Sequence, residues 1–146
     1  MIENKKALFN YEVLEKLDAG VELLGTEVKT LRGDHGSLEG AYVTVRGGEA
    51  YLVNSEIFPF QKANAPLDFD PRRPRKLLLT KKEIALIATE TETKGISAIP
   101  LKFFAKGKKI KLTIALARGK KKFDKRETIK KRESKREIDR EMKRNC

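Results

Sequence analysis

The chain has 146 residues, with 33 lysines and arginines against 21 aspartates and glutamates, and a formal net charge of +12. This length allows one domain with a modest core and excludes a large multidomain enzyme. No apolar stretch approaches the roughly 20 residues of a membrane-spanning helix, and the N-terminus lacks the apolar region of a secretory signal. A single cysteine, Cys146, excludes an internal disulfide, so we expect a cytoplasmic protein.

The spacing of apolar residues near the N-terminus predicts a helix followed by a strand. Residues 4–17 favour a short helix, which Asp18-Ala19-Gly20 would end. Residues 21–29 favour a strand with a bulge or bend at its central glycine. Glu27 then lies inside a strand beside Lys29, and its default role is a cross-strand ion pair or hydrogen bond.

A β-hairpin is the clearest signal of the next segment. Residues 42–46 and 49–53 flank Gly47-Gly48, a pair that suits a two-residue turn with positive φ at both positions. Residues 58–76 hold four of the five prolines, which predicts a long loop with a basic end. Loops of this length are usually functional or mobile.

The second half of the chain predicts one helix and two strands. Thr80-Lys81-Lys82-Glu83 has the form of a capping box, so a helix is expected over about 81–89. Two strands are expected over 96–104 and 109–116, joined by a short turn. The second of them alternates cleanly, with one apolar side formed by Ile110, Leu112, Ile114 and Leu116.

Five or six strands with two or three short helices predict a mainly β fold. Short antiparallel strands with glycine turns are typical of a small closed barrel, because closure removes exposed strand edges. An oligonucleotide-binding-type barrel is the first interpretation, and an SH3-like barrel or sandwich is the alternative. We expect a barrel domain over 1–118 and a basic tail over 119–146.

The positive charge is concentrated in the tail. Residues 118–146 carry 14 basic and 6 acidic side chains, a net of +8, and the first 117 residues carry a net of +4. The tail has four large apolar residues (Phe123, Ile129, Ile138 and Met142), too few to hold a helix against a core. We therefore predict a tail that is disordered when free and helical on a polyanionic partner. Nucleic acid fits better than an anionic membrane, which needs bulky apolar residues to insert.

Motifs for catalysis or metal binding are not found in the sequence. The only histidine, His35, lies in a turn sequence, and no second histidine or paired cysteines complete a metal set. No nucleophile elbow or phosphate-binding loop occurs, and the carboxylate pairs favour solvated surface charge. The sequence therefore predicts a monomeric binding protein without enzymatic activity, metal or cofactor, in which aromatics such as Phe9 and Phe123 could stack on bases.

Several motifs in chain order resemble one known family. They are Asn4-Lys5-Lys6-Ala7, Asp18-Ala19-Gly20, residues 25–32, residues 70–79 and residues 119–126. Together they resemble the small protein B (SmpB) family, the bacterial partners of transfer-messenger RNA. The resemblance implies a barrel that binds the tRNA-like domain of that RNA and delivers it to stalled ribosomes for trans-translation. It also implies a tail that enters the decoding centre and the empty messenger channel of the small subunit.

The resemblance also implies roles for individual residues. On the barrel it points to an RNA-facing set of Asp18, Leu78 and Lys111, and it leaves open whether Glu27, Lys29 and Arg32 bind RNA or hold the barrel. In the tail it implies a hinge at Gly119, with ribosome contacts from Lys121, Phe123, Asp124, Lys125, Arg126 and Lys130. Phe123 stands where the family commonly has Tyr or His. The alternative function is a general single-stranded or structured RNA-binding module with a non-specific basic tail.

Overall fold

The computed structural model describes residues 1–60 and 69–120, and it is mainly β, as predicted. The elements in chain order are α1 Lys5–Asn10, β1 Tyr11–Val21, α2 Gly25–Arg32, β2 Tyr42–Arg46, β3 Glu49–Val53, β4 Arg75–Leu78, α3 Lys81–Thr91, β5 Ile96–Lys106 and β6 Lys109–Gly119.

All six strands form one antiparallel sheet in the order β2-β3-β4-β1-β6-β5. The two end strands, β2 and β5, contact each other, and α3 lies against both of them and against β6. The curled sheet encloses a core that includes Leu31, Leu52, Ile57, Leu112 and Ile114. The small antiparallel barrel expected from the sequence is thereby confirmed.

The hairpin and the capped helix form as predicted. Gly47 and Gly48 have φ of 57° and 77°, which lets β2 and β3 pair through a two-residue turn. The Thr80 hydroxyl accepts a hydrogen bond from the Glu83 amide at 3.2 Å, and the Glu83 carboxylate accepts one from the Thr80 amide at 3.0 Å. These two bonds satisfy backbone donors at the start of α3, which continues to Thr91.

The prediction of a helix over 4–17 is wrong beyond Asn10. Residues 11–21 form β1, and Asp18-Ala19-Gly20 lies within this strand rather than at a helix end. β1 pairs with β6 from Tyr11 to Gly20 and with β4 at its last two residues. This long-range pairing buries Ala19 and overrides the helical spacing of the apolar residues.

The prediction of a strand over 21–29 is also wrong, because α2 begins at Gly25. The Glu27 side chain accepts a hydrogen bond from the Leu24 amide at 2.8 Å, which caps the first turn of the helix. The predicted loop over 58–76 is shortened at its end, since β4 starts at Arg75. Residues 61–68 of that loop lie outside the described residues.

Two one-residue bulges lie on either side of β6. Leu14 is the extra residue in β1, between the pairs that Val13 and Glu15 make with β6. Leu101 is the extra residue in β5, after the pair of Pro100. Each bulge changes which alternate residues of its strand face outward. Beyond the bulges, the outward positions of β1 are therefore Lys16, Asp18 and Gly20, and those of β5 are Lys102 and Phe104.

Candidate RNA interface

Four neighbouring strands carry aligned residues on the outside of the barrel. Gly20 of β1 pairs with Leu78 of β4 and with Lys111 of β6, which in turn pairs with Phe104 of β5. Paired residues of antiparallel strands point to the same side of the sheet. A second row consists of Asp18, Thr113 and Lys102. We name this surface the outer face: Lys16, Asp18, Gly20, Leu78, Lys102, Phe104, Lys111 and Thr113.

The glycine in the first row allows the leucine beside it to lie across β1. A Cβ atom at Gly20 would come within 3.2 Å of the Leu78 Cβ and 3.3 Å of its Cδ1. Leu78 is nevertheless 53% exposed. A groove of about 240 Å³ beside this leucine is bordered by Lys108 and Lys111. An apolar contact flanked by cations suits a nucleic acid, which offers bases and riboses next to phosphates.

The second row is polar and partly pre-oriented. The Thr113 hydroxyl donates a hydrogen bond to Asp18 Oδ1 at 3.1 Å. Within residues 1–60 and 69–120, the Asp18 carboxylate has no other hydrogen bond or ion pair. In the same ranges the Lys111 ammonium pairs with no carboxylate. The structure thus brings together Asp18, Leu78 and Lys111, and their contact with RNA stays a prediction.

A different lysine of β4 is already engaged. Lys76 lies two residues before Leu78, and its ammonium is 3.1 Å from the Glu49 carboxylate of β3. The hydrogen bond with Glu49 raises the pKa of Lys76 above its ordinary value. This pairing neutralises part of the charge at that edge, so the cations of the outer face are concentrated on β1, β5 and β6.

Glu27 belongs to the interior of the protein rather than to the outer face. Its carboxylate is fully buried and accepts hydrogen bonds from the guanidinium groups of Arg73 and Arg75, with Arg75 Nε at 2.8 Å. Arg75 is also fully buried and donates to the Ser55 hydroxyl at 3.0 Å and to the Pro71 carbonyl at 3.0 Å. The family resemblance left open whether Glu27 binds RNA or holds the barrel, and this geometry supports a role in holding the barrel.

Charge compensation makes the burial of this arginine tolerable. Burial lowers the pKa of Arg75, and the adjacent Glu27 carboxylate opposes that shift. The network ties α2 to the chain segment between β3 and β4. Sequence reasoning missed Arg73 and Arg75 as ion-pair partners, because it counted them only as the basic end of a loop. Nothing local in the sequence marks one arginine of such a run as buried.

The two cations of α2 are exposed, and one adjoins the outer face. Arg32 Nη2 donates to the Lys108 carbonyl at 3.0 Å, which connects α2 to the turn between β5 and β6. Val28, one turn earlier, borders the same groove as Lys108. Lys29 is exposed, and its side chain makes no hydrogen bond or ion pair in the part of the chain that the structure describes. RNA contact by Lys29 and Arg32 stays a prediction.

The proposed hinge lies at the end of β6. Gly119 pairs with Tyr11, and the Lys120 amide donates to the Asn10 carbonyl at 2.8 Å. Among the described residues other than its two chain neighbours, none places a heavy atom within 4 Å of a Cβ built at Gly119. The tail residues implied by the resemblance lie outside the described residues: Lys121, Phe123, Asp124, Lys125, Arg126 and Lys130.

The described residues contain no group of three or more histidine, cysteine or acidic side chains able to hold a metal. None of the helices in residues 1–60 and 69–120 has the length and hydropathy needed to cross a membrane. His35 is exposed in the turn after α2.

Comparison with known proteins identifies the family. The family model described as "SmpB protein" matches residues 1–144. The chain belongs to the SmpB family. An SsrA-binding protein of Gloeobacter violaceus is 49% identical over 144 residues, which cover 99% of this chain and 94% of that protein. The SsrA-binding protein of Microcystis aeruginosa is 47% identical and covers 97% and 92%, respectively.

A solved SmpB-family structure extends this similarity to three dimensions. It is described as "tmRNA-SmpB: a journey to the center of the bacterial ribosome". The two chains superpose with a TM-score of 0.70 at 41% identity, covering 83% of this chain and 85% of the other. The resemblance found in the sequence motifs is therefore confirmed, and the barrel is the fold of an SmpB-family protein.

Proposed function

We propose that this protein binds the tRNA-like domain of transfer-messenger RNA and delivers that RNA to stalled ribosomes for trans-translation. Its relatives are named SsrA-binding proteins, and the solved relative is described as tmRNA-SmpB in the bacterial ribosome. SsrA is the transfer-messenger RNA itself. The observation that carries the proposal is the convergence of Asp18, Leu78 and Lys111, which lie on three different strands, on one exposed face.

The outer face supports recognition of a folded RNA. Lys16, Lys102 and Lys111 project from β1, β5 and β6, where each can neutralise a phosphate and release counterions. The hydrogen-bonded sheet fixes the distances between these groups before binding. Contacts fixed in this way favour an RNA whose backbone already has the matching shape over a flexible single strand.

The tail supplies the second part of the proposal. The net charge of +8 over residues 118–146 suits ribosomal RNA, and the Asp124-Lys125-Arg126 triplet, Lys121, Phe123 and Lys130 are the proposed contacts. Gly119 is the proposed hinge, at the point where β6 ends. The protein acts in the cytoplasm as a monomer, by binding rather than by catalysis.

Two full-length variants separate the roles of the barrel and the tail. Lys111→Ala should weaken binding to the tRNA-like RNA, and as a result peptide tagging on stalled ribosomes should fall. Replacement of Asp124, Lys125 and Arg126 by alanine should leave RNA affinity unchanged and still reduce tagging. If the tail variant loses as much RNA affinity as the Lys111 variant, the division of roles is wrong.

Competition between RNAs tests the general-module alternative. The tRNA-like RNA should displace an unstructured RNA of equal length and charge from the full-length protein. Equal affinity for the two RNAs would favour a general RNA-binding module with a non-specific tail. Equal length matters, because the number of phosphates sets the non-specific electrostatic contribution.

A further inference from the structure

A groove of about 420 Å³ on the outer face is lined by five residues: Lys16, Asp18, Lys102, Phe104 and Thr113. We propose that this groove binds one unpaired nucleotide of the RNA and selects guanine. The inference rests on the proposed function, because it assigns a base-reading role to part of the same surface. The volume lies within the range of about 300–1,000 Å³ that is typical of small-ligand sites.

Two lysines supply the phosphate-binding part of the groove. Lys16 is on β1 and Lys102 on β5, so they flank the central strand β6 on opposite sides. Neighbouring strands are about 4.8 Å apart, which places the two backbones about 10 Å from each other. Both side chains are exposed, and neither forms an ion pair within residues 1–60 and 69–120. Two such ammonium groups can bind consecutive phosphates.

Phe104 supplies the stacking surface. Its neighbour Phe103 is 2% exposed and belongs to the core, whereas Phe104 is half-buried and borders the groove. The alternation of β5 therefore gives these adjacent phenylalanines different environments. An aromatic ring at the wall of a cationic groove is the standard platform for an unstacked base.

Asp18 provides the base selection. Its carboxylate has two oxygens with about four acceptor positions, and the Thr113 hydroxyl occupies one of them at 3.1 Å. Guanine offers two adjacent donors, N1–H and the N2 amino group, which match the two oxygens of a carboxylate. Adenine and cytosine each place an acceptor nitrogen next to their amino group, and uracil flanks its single N–H with two carbonyls. Three of the four bases would therefore bring an acceptor against the negative charge.

Inosine substitution in the RNA tests this assignment. Inosine retains N1–H and lacks the N2 amino group, so it removes one of the two proposed hydrogen bonds. Each unpaired guanosine of the tRNA-like RNA is replaced in turn, and affinity for the full-length protein is measured by fluorescence anisotropy. At one position we expect inosine to weaken wild-type binding by about 5- to 100-fold, the usual range for losing a specific base contact. Asp18→Ala should bind the substituted and the unsubstituted RNA equally.

Control variants keep the result interpretable. Asp18→Asn preserves the side-chain shape and should also lose the discrimination, provided that its melting temperature matches the wild type. Phe104→Leu should weaken binding of every RNA in the set by about 5-fold or more, because stacking does not depend on base identity. Lys94→Gln, in the exposed turn after α3, should change nothing.

Failure of this inference is distinguishable from failure of the proposed function. If every inosine substitution costs the same in the wild type and in the Asp18 variants, Asp18 does not read guanine and the inference is overturned. The protein would then still prefer the tRNA-like RNA over an unstructured RNA of equal length. Loss of that preference in the wild type would instead overturn the proposed function.

Discussion

Replacing Glu27 by glutamine should destabilise the fold strongly without touching the outer face. The substitution removes one negative charge from a site where the carboxylate is fully buried. Its partners are Arg73, Arg75 and the Leu24 amide. Arg75, which is itself fully buried, would keep its positive charge with no adjacent counterion.

The expected loss follows from the remaining partners of Arg75. Leaving one member of a buried ion pair uncompensated costs about 3–5 kcal/mol. Arg75 would still donate to the Ser55 hydroxyl and to the Pro71 carbonyl, so its N–H groups are not all orphaned. This places the loss of unfolding free energy near the lower end, about 3 kcal/mol. For a domain of this size that corresponds to a melting temperature about 10 °C lower.

Thermal unfolding followed by circular dichroism measures this change. Glu39→Gln is the matched control, because it removes a carboxylate from an exposed ion pair in which Lys6 Nζ lies 2.6 Å from Glu39 Oε1. The melting temperature of this variant should shift by less than about 2 °C. The double variant Glu27→Met with Arg75→Met should recover part of the stability, since the fully buried charge of Arg75 is then removed together with its counterion. A Glu27→Gln melting temperature within about 2 °C of the wild type would refute the reasoning.

Three substitutions and one control variant test the outer face and the hinge. Gly20→Ala should destabilise the protein by about 1 kcal/mol in chemical denaturation and weaken RNA binding, because the added methyl group meets Leu78 at 3.2 Å. Gly25→Ala is the control, because its methyl group enters open space and should leave the stability unchanged. Lys111→Ala should reduce the slope of log affinity against log salt by about one, and an unchanged slope would remove Lys111 from the phosphate contacts. Gly119→Ala should leave the melting temperature unchanged, and normal tagging by this variant would exclude a glycine-dependent hinge.

The elements that the sequence predicted correctly are those whose conformation is specified by neighbouring residues. The turn at Gly47-Gly48 and the Thr80–Glu83 capping box specify their conformation within four residues, and both form as expected. The strand over residues 11–21 was not predicted. It forms by pairing with β6, about a hundred residues later, and such long-range pairing leaves no local marker in the sequence. The helix α2 was also missed. Its first turn is capped by Glu27, and the burial of this side chain depends on the whole fold rather than on neighbouring residues.

The site was predictable only in part. Family motifs named Asp18, Leu78 and Lys111, and the register of three strands explains why residues so far apart in sequence share one face. Lys16, Lys102 and Phe104 could not be added from the sequence. Their outward orientation depends on the two bulges, and a strand pattern without a known register does not say which alternate residues are buried.

The bulges at Leu14 and Leu101 also determine which mutations these strands tolerate. Deleting Leu14 would only remove the bulge, because Val13 and Lys16 would keep their partners Ala117 and Ala115 and therefore their outward positions. Deleting the paired residue Leu17 would instead shift the residues on one side by one position, so that they exchange their inward and outward positions. Asp18 would then lie opposite Ile114 and enter the core, and Ala19 would replace it outside. Substitutions on the outer face leave this alternation intact. In the divergence of such a protein, or in its use as an engineering scaffold, the lengths of β1 and β5 outside the two bulges are therefore far less free to vary than their outward side chains.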